Sequence, residues 1–273
     1  MPENIIEVKN LTKKFKRFIA VDNLSFNVKK GEIFGFLGPN GAGKSTTIRI
    51  LSTLLRPTSG KVMVSGFDIV RDASKVRKKI GLVAEKIIIY DRLTAMENLE
   101  FFGRLSHLSF ETIKKRSQKW LKKLHMQEWE DHIIGTFSTG MKQRINLIRA
   151  LLTEPEILIL DEPTLGLDPQ TTRLIRDFLQ ELNQKGITII LTTHDMIEAE
   201  FLSNRVAIID HGKIAALDTV ENLKSKVKNI KNPNLEDVFL EITGKEIRDI
   251  ANSKIKSGYG PRHAGRRFVK RIR

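Results

Sequence analysis

Gly38-Pro39-Asn40-Gly41-Ala42-Gly43-Lys44-Ser45-Thr46 is the stretch from which the rest of the chain is read. It fits G-x-x-x-x-G-K-[ST], the phosphate-binding loop, with Gly38, Gly43, Lys44 and Ser45 at the fixed positions. A turn closes around a polyphosphate only if its backbone N–H groups point inward, which demands positive φ where glycine alone is comfortable. Lys44 supplies a point charge for the outer phosphates, and the Ser45 hydroxyl is a ligand for the Mg²⁺ that travels with them. Upstream, Glu32 to Leu37 reads as a buried strand. Downstream, Ile48, Leu51 and Leu55 recur at helical spacing, so a helix should start at Lys44 and aim its positive end at the phosphates.

Composition narrows the setting. The 273 residues carry a net charge of +15, with 40% apolar and 29% charged residues and no cysteine. Disulfides, thiolate metal sites and cysteine nucleophiles are therefore excluded. Neither a signal-peptide pattern nor an apolar run near the ~20 residues of a membrane span is present, which predicts work on the cytoplasmic side, with any membrane role supplied by a partner. After Asp249 there are eight basic residues and no acidic one, so more than half of the excess charge lies in the tail. The body is only mildly basic, which argues against a specific nucleic-acid surface.

Taken in order, the chain reads as strands at Ile5–Val8, Ala20–Val28 and Lys61–Val64, with Ile69-Val70 beyond Gly66-Phe67-Asp68 and a further strand at Ile80–Ala84 ending at Glu85. Phe15 and Phe18 fall in a basic segment between the first two strands, and either ordinary core packing or stacking on a base would suit them. Residues 88–150 read as helical. Thr94 and Glu97 form a capping box opening a helix through Leu105, Thr112–Leu124 carries Ile113, Trp120, Leu121 and Leu124 on one face, and Met141–Leu152 makes a third helix. Trp129 reads as core. Strands then alternate with helices: Glu156–Leu160 before Asp161-Glu162, a helix at Thr171–Leu182, a strand to His194, a helix at Met196–Leu202, and a hairpin turning at His211-Gly212. Such alternation implies a parallel sheet covered on both faces.

Four stretches line up with the phosphate loop. Asp161-Glu162 ends a buried strand, where one carboxylate can meet Mg²⁺ and its neighbour can polarise water. Ser138-Thr139-Gly140-Met141-Lys142 opens a helix, Leu165 to Asp168 follows the acidic pair, and His194 ends the next strand. In this order and spacing the sequence resembles the ATP-binding subunit of ABC transporters over roughly residues 3–244. The resemblance implies a P-loop NTPase, α/β with a RecA-like parallel sheet, an antiparallel β subdomain and an α-helical subdomain near 88–150. It implies ATP and Mg²⁺ as cofactors. Gly38–Thr46 becomes Walker A, Ile157–Glu162 Walker B, Ser138–Lys142 the signature, Asp168 part of the D-loop and His194 the switch histidine. It makes Phe15 the adenine-stacking aromatic, Glu162 and His194 catalytic, and Ser45, Glu85 and Asp161 metal ligands.

Glu85 stands where the family usually has glutamine, and the signature departs from Ser-Gly-Gly-Gln. That form of signature and Asn234–Gly244 resemble daunorubicin-type drug-exporter ATPases of the type 2 exporter branch. The resemblance implies a head-to-tail pair of copies with Ser138 and Gly140 meeting the partner copy's ATP. It also implies an integral membrane permease as partner and a peripheral place on the cytoplasmic face of the membrane. A soluble ABC ATPase acting as an assembly or translation-associated factor is the other reading. The tail, 245–273, suits either a solvated extension, least ordered over 252–273, or contact with anionic lipid.

Overall fold

The structure is a computed structural model that describes residues 3–227 and 230–244. The tail expected over 245–273 lies outside the described residues. Strands β1 (Asn4–Phe15) and β2 (Phe18–Lys29) form a long antiparallel hairpin that turns at Lys16-Arg17. Ile6, Val8, Leu11, Val21, Leu24 and Val28 are buried, whereas the residues between them are largely polar and at the surface. This period of two is what a half-covered sheet requires.

All five residues of β3 (Ile33–Leu37) are buried, and α1 (Lys44–Leu51) starts at the predicted lysine. The helix stops short of Leu55, because Thr53 adopts a left-handed φ of 64°. Strands β4 (Ser59–Val64) and β5 (Phe67–Asp68) complete a sheet of order β2-β1-β4-β5. The expected strand at Ile69-Val70 does not form. The Asp68 carboxylate accepts from Val70 N and Arg71 N at 2.9 and 3.1 Å, which turns the chain into α2 (Ala73–Lys79).

After β6 (Ile80–Val83) come α3 (Ala95–Leu105), α4 (Phe110–Lys123) and α5 (Thr139–Leu151). The Thr94–Glu97 capping box is made in both directions, at 3.1 and 2.8 Å. Trp129 is not core. It sits in a short 3-10 turn, 40% exposed, with its ring set edge-on to the buried Phe137. The turn keeps its backbone at the surface, so the indole shields the core without entering it.

The second half runs β7 (Ile157–Asp161), α6 (Pro169–Gln184), β8 (Thr188–Thr193), α7 (Met196–Leu202), β9 (Arg205–Asp210) and β10 (Lys213–Thr219). Two helices follow, α8 (Val220–Ser225), which the sequence pattern did not reveal, and α9 (Leu235–Thr243). The second sheet has the order β10-β9-β3-β8-β7-β6, parallel except for β10. One face packs on α1 and the antiparallel sheet, through Phe34, Phe36, Ile48 and Ile159. The other packs on α3 to α6, through Leu99, Leu121, Ile148 and Leu179. Because β3, β8 and β7 are neighbours, Gly38, His194 and Glu162 leave the same edge of the sheet. That edge is where ligands bind in open parallel sheets.

Candidate active site

The loop after β3 is shaped by close backbone approach. A side chain at Gly43, where φ is 106°, would put Cβ 2.4 Å from the Ala20 carbonyl oxygen, and one at Gly38 would come within 2.2 Å of the Ile209 carbonyl oxygen. Gly43 is also the N-cap of α1 and offers no side-chain acceptor, so the first amides of that helix remain available to an anion. Lys44 is buried. Its Nζ donates to the Gly38 oxygen at 2.6 Å and the Pro39 oxygen at 3.3 Å, and it stands 3.5 Å from Glu162 Oε1. Burial pushes the Lys44 amine below its usual range, and the charges of Glu162, Asp161 and Glu85 oppose that shift.

The acidic pair is held by β8. Ser45 Oγ donates to Asp161 Oδ1 at 3.1 Å, and Thr192 Oγ1 donates to the same oxygen from the register position opposite Asp161. Glu162 has a left-handed φ of 52° and gives its amide to both Thr192 O (3.1 Å) and Thr192 Oγ1 (3.2 Å). A non-glycine residue in that conformation costs on the order of 1 kcal/mol, a strain typical of functional sites. The bend separates the two acids. Asp161 turns to Ser45, whereas Glu162 Oε2 reaches His194 Nδ1 at 2.9 Å. Glu162 Oε1 is buried, takes no hydrogen bond and faces the Lys44 amine.

A cavity of about 450 Å³ opens over these groups, lined by Pro39 to Thr46, Glu85, Glu162, His194, Phe18, Ala20 and Leu165. Most of the sequence-derived site thus converges. Phe15, favoured by the family pattern, is not on this wall; Lys13 Nζ lies 5.0 Å from its ring centroid, and Phe18 takes the wall position instead. The reason lies in the hairpin. The start of β2, not the end of β1, runs against the loop, because the Ala20 carbonyl packs on Gly43.

Ser138 to Lys142 also lie outside the cavity. Ser138 Oγ accepts from Met141 N at 3.3 Å as the N-cap of α5, and Lys142 Nζ reaches Asp91 Oδ1 at 2.7 Å. Asp168 caps α6 by accepting from Thr171 N at 2.9 Å, and the Thr171 hydroxyl and amide hold its carboxyl below the usual range. Two contributors escaped the sequence reading. Thr192 orients both acids, and Gln143 Nε2 donates to Pro163 O at 2.8 Å, tying α5 to the segment after Glu162. Only the threonine-rich end of β8 hinted at the first.

The donor set fits magnesium. Ser45 Oγ and Asp161 Oδ1 are hard oxygen ligands side by side, and Glu85 lines the same cavity. Among the described residues no group of three or more His, Cys, Asp or Glu could hold a metal unaided. The remaining ligands would therefore be phosphate and water, the usual arrangement for this ion. Bound there, magnesium would neutralise charge on the phosphates.

Residues 21–165 match the family described as "ABC transporter". The chain belongs to the ABC transporter ATP-binding family. A shorter match, residues 132–199, is to "AAA domain, putative AbiEii toxin, Type IV TA system". The linearmycin resistance ATP-binding protein LnrL of Bacillus subtilis (strain 168) is 44% identical over 223 residues, spanning 82% of this chain and 72% of LnrL. The daunorubicin/doxorubicin resistance ATP-binding protein DrrA of Streptomyces peucetius is 38% identical over 237 residues, spanning 86% of this chain and 72% of DrrA. Among solved structures, the dimeric ATP-binding cassette MJ0796 bound to ADP and Pi superposes with a TM-score of 0.72 at 32% identity, over 78% of this chain and 98% of that one. The chain is thus an ABC ATPase.

Proposed function

We propose that this ABC ATPase energises transport, in the export direction, through a separate integral membrane permease. The observation that carries the reading is the division of the site: Lys44, Glu162 and His194 share one cavity, while Ser138 to Lys142 stand outside it. A second copy, packed head to tail, would bring its own Ser138 and Gly140 to the γ-phosphate. Glu162 Oε1, buried and without a hydrogen bond, is the group that would polarise the attacking water. His194 would orient that carboxylate from Oε2, and Lys44 would turn from the loop carbonyls to the phosphates. Catalysis of this kind is chiefly positioning and electrostatics. Ser45, Asp161 and Glu85 are the ligands assigned to Mg²⁺, and Phe18 or Phe15 to the adenine.

Among the described residues no helix is long and apolar enough to cross a membrane. Next to the Glu85 loop, Tyr90 and Phe101 form a half-exposed aromatic pair with ring centroids 4.9 Å apart, a fitting place for a permease to dock. LnrL and DrrA are named for drug resistance, which supports export. The place of action would be the cytoplasmic face of the membrane, with no specific nucleic-acid contact. The basic tail would add attraction to anionic lipid, about 1 kcal/mol per basic residue near the surface. Vesicle binding unchanged by deletion of Gly258–Arg273 would remove that part. Purification from detergent-solubilised membranes tests the whole: an integral membrane protein should accompany the chain, and recovery with soluble assembly or ribosomal partners alone would overturn it.

A further inference from the structure

Thr164 begins the segment that leads from Glu162 to Asp168, and its hydroxyl donates to Glu198 Oε1 at 2.7 Å. Glu198 lies on α7, four residues after His194, and is 1% exposed. Burial pushes its carboxyl above the usual range, against the Thr164 and Thr193 hydroxyls and the charge of Arg176. A buried carboxyl is costly, and an apolar side chain would pack there more cheaply, so the hydroxyl it holds is the reason to look for a role. The surroundings are pinned from several sides. Gln143 of α5 holds Pro163 O, Thr193 Oγ1 accepts from Asp195 N at 3.0 Å, and Asp195 Oδ1 caps α7 while its Oδ2 meets Arg176 of α6 at 3.2 Å.

We propose that Glu198 is a positioning residue: through Thr164 it locks the segment after Glu162 to the helix after His194 and so sets the Glu162–His194 pair. The lock works in both directions. Leu165, half exposed on the cavity wall, and the exposed Asp168 belong to the same segment. A second copy pressing on them would move the His194 loop through Thr164 and Glu198. The inference rests on the reading of Glu162 and His194 as the hydrolytic pair.

The test is a double-mutant cycle on ATP hydrolysis, with ATP affinity and thermal stability measured in parallel. Glu198→Ala and Thr164→Val should each lower kcat about tenfold to a hundredfold, as a misplaced catalytic group does, with KM within about twofold. The double variant should lose no more than the more impaired single variant, because both remove one link. Glu198→Gln keeps an oxygen for the Thr164 hydroxyl and should recover most of the turnover. Multiplying losses in the double variant would overturn the proposal, as would equal losses for Gln and Ala that track thermal stability. Normal turnover in Thr164→Val beside an inactive Glu162→Gln would overturn it alone. Full turnover in Glu162→Gln would overturn the hydrolytic pair and this inference with it.

Discussion

Replacing Glu162 by glutamine separates the two tasks of this carboxylate. Its first, in the mechanism proposed above, is chemical. Oε1 is buried beside the Lys44 amine without a hydrogen bond, and an amide there cannot take a proton from water, so kcat should fall by about 10²–10⁴-fold, or roughly 3–5 kcal/mol of barrier. Its second task is to compete with ATP. The Lys44 amine is held by two loop carbonyls and by Glu162 at 3.5 Å. At an effective dielectric of about 20 that attraction is about 5 kcal/mol, and desolvation of the two groups offsets most of it, leaving roughly 1–2 kcal/mol. A nucleotide must displace this contact, so the glutamine variant should bind ATP roughly tenfold more tightly. The same substitution removes the leading charge that opposes the burial of Lys44, so the amine should titrate lower still in the variant without nucleotide. Equilibrium binding of a fluorescent ATP analogue, with single-turnover phosphate release, reads both effects. Turnover within threefold of the parent, or ATP binding weakened tenfold, would refute this account of Glu162.

Lys44→Ala should weaken ATP binding more than tenfold in the same assay, and an unchanged affinity would count against the loop as the phosphate site. In Gly43→Ala the new Cβ meets the Ala20 carbonyl at 2.4 Å on a backbone with φ of 106°, so both the melting temperature and ATP affinity should drop, whereas Gly41→Ala, at φ of 81° but with open space around its Cβ, should cost backbone strain alone and lower both by less. Glu198 titrates above its unfolded value of 4.5, so the native state keeps its proton longer and stability is lost as pH rises from about 4.5 through the raised value. Glu198→Gln, still flanked by Arg176, Asp195, Thr164 and Thr193, should therefore gain stability relative to the parent across that interval. Urea melts between pH 4 and 8 that keep a constant difference would contradict it.

How far the sequence reaches depends on how local each determinant is. The Thr94–Glu97 capping box and the all-apolar run before Asp161 each set an element from a handful of adjacent residues, and those elements appear as expected. Thr192 could not be singled out, because its role needs the register of β7 on β8, which pairs it with Asp161. Phe18 and Phe15 are distinguished only by which strand of the hairpin touches Gly43, and β1 carries register shifts around Lys13 and Lys14 just before that turn. Trp129 reads as core by composition, and only the turn that carries it keeps it outside.

The departures in the signature find their account in packing within this one chain. Met141, where the family pattern has glutamine, packs on the core cluster that contains Phe137 and Ile145. Gly140 is favoured by packing without reference to a nucleotide, since a Cβ there would lie 2.9 Å from the Thr171 side chain of α6, which would have to move aside. Lys142 is tied to Asp91, whose carbonyl also accepts from Gly135 N at 2.8 Å. The N-terminus of α5 is therefore fixed from inside, by α6, by the core and by the loop that follows Glu85. Ser138 Oγ covers one early amide, and the preceding ones remain for an anion that the chain's own cavity does not bring to them. On the proposed reading, a surface preset in this way would meet a second copy's phosphate without reorganising, and a shift of the Glu85–Asp91 loop would be passed to it through Lys142 and Gly135. Communication between a docked permease and the second copy's ATP would, on that reading, run through the Asp91 contacts and would need no flexible element in α5.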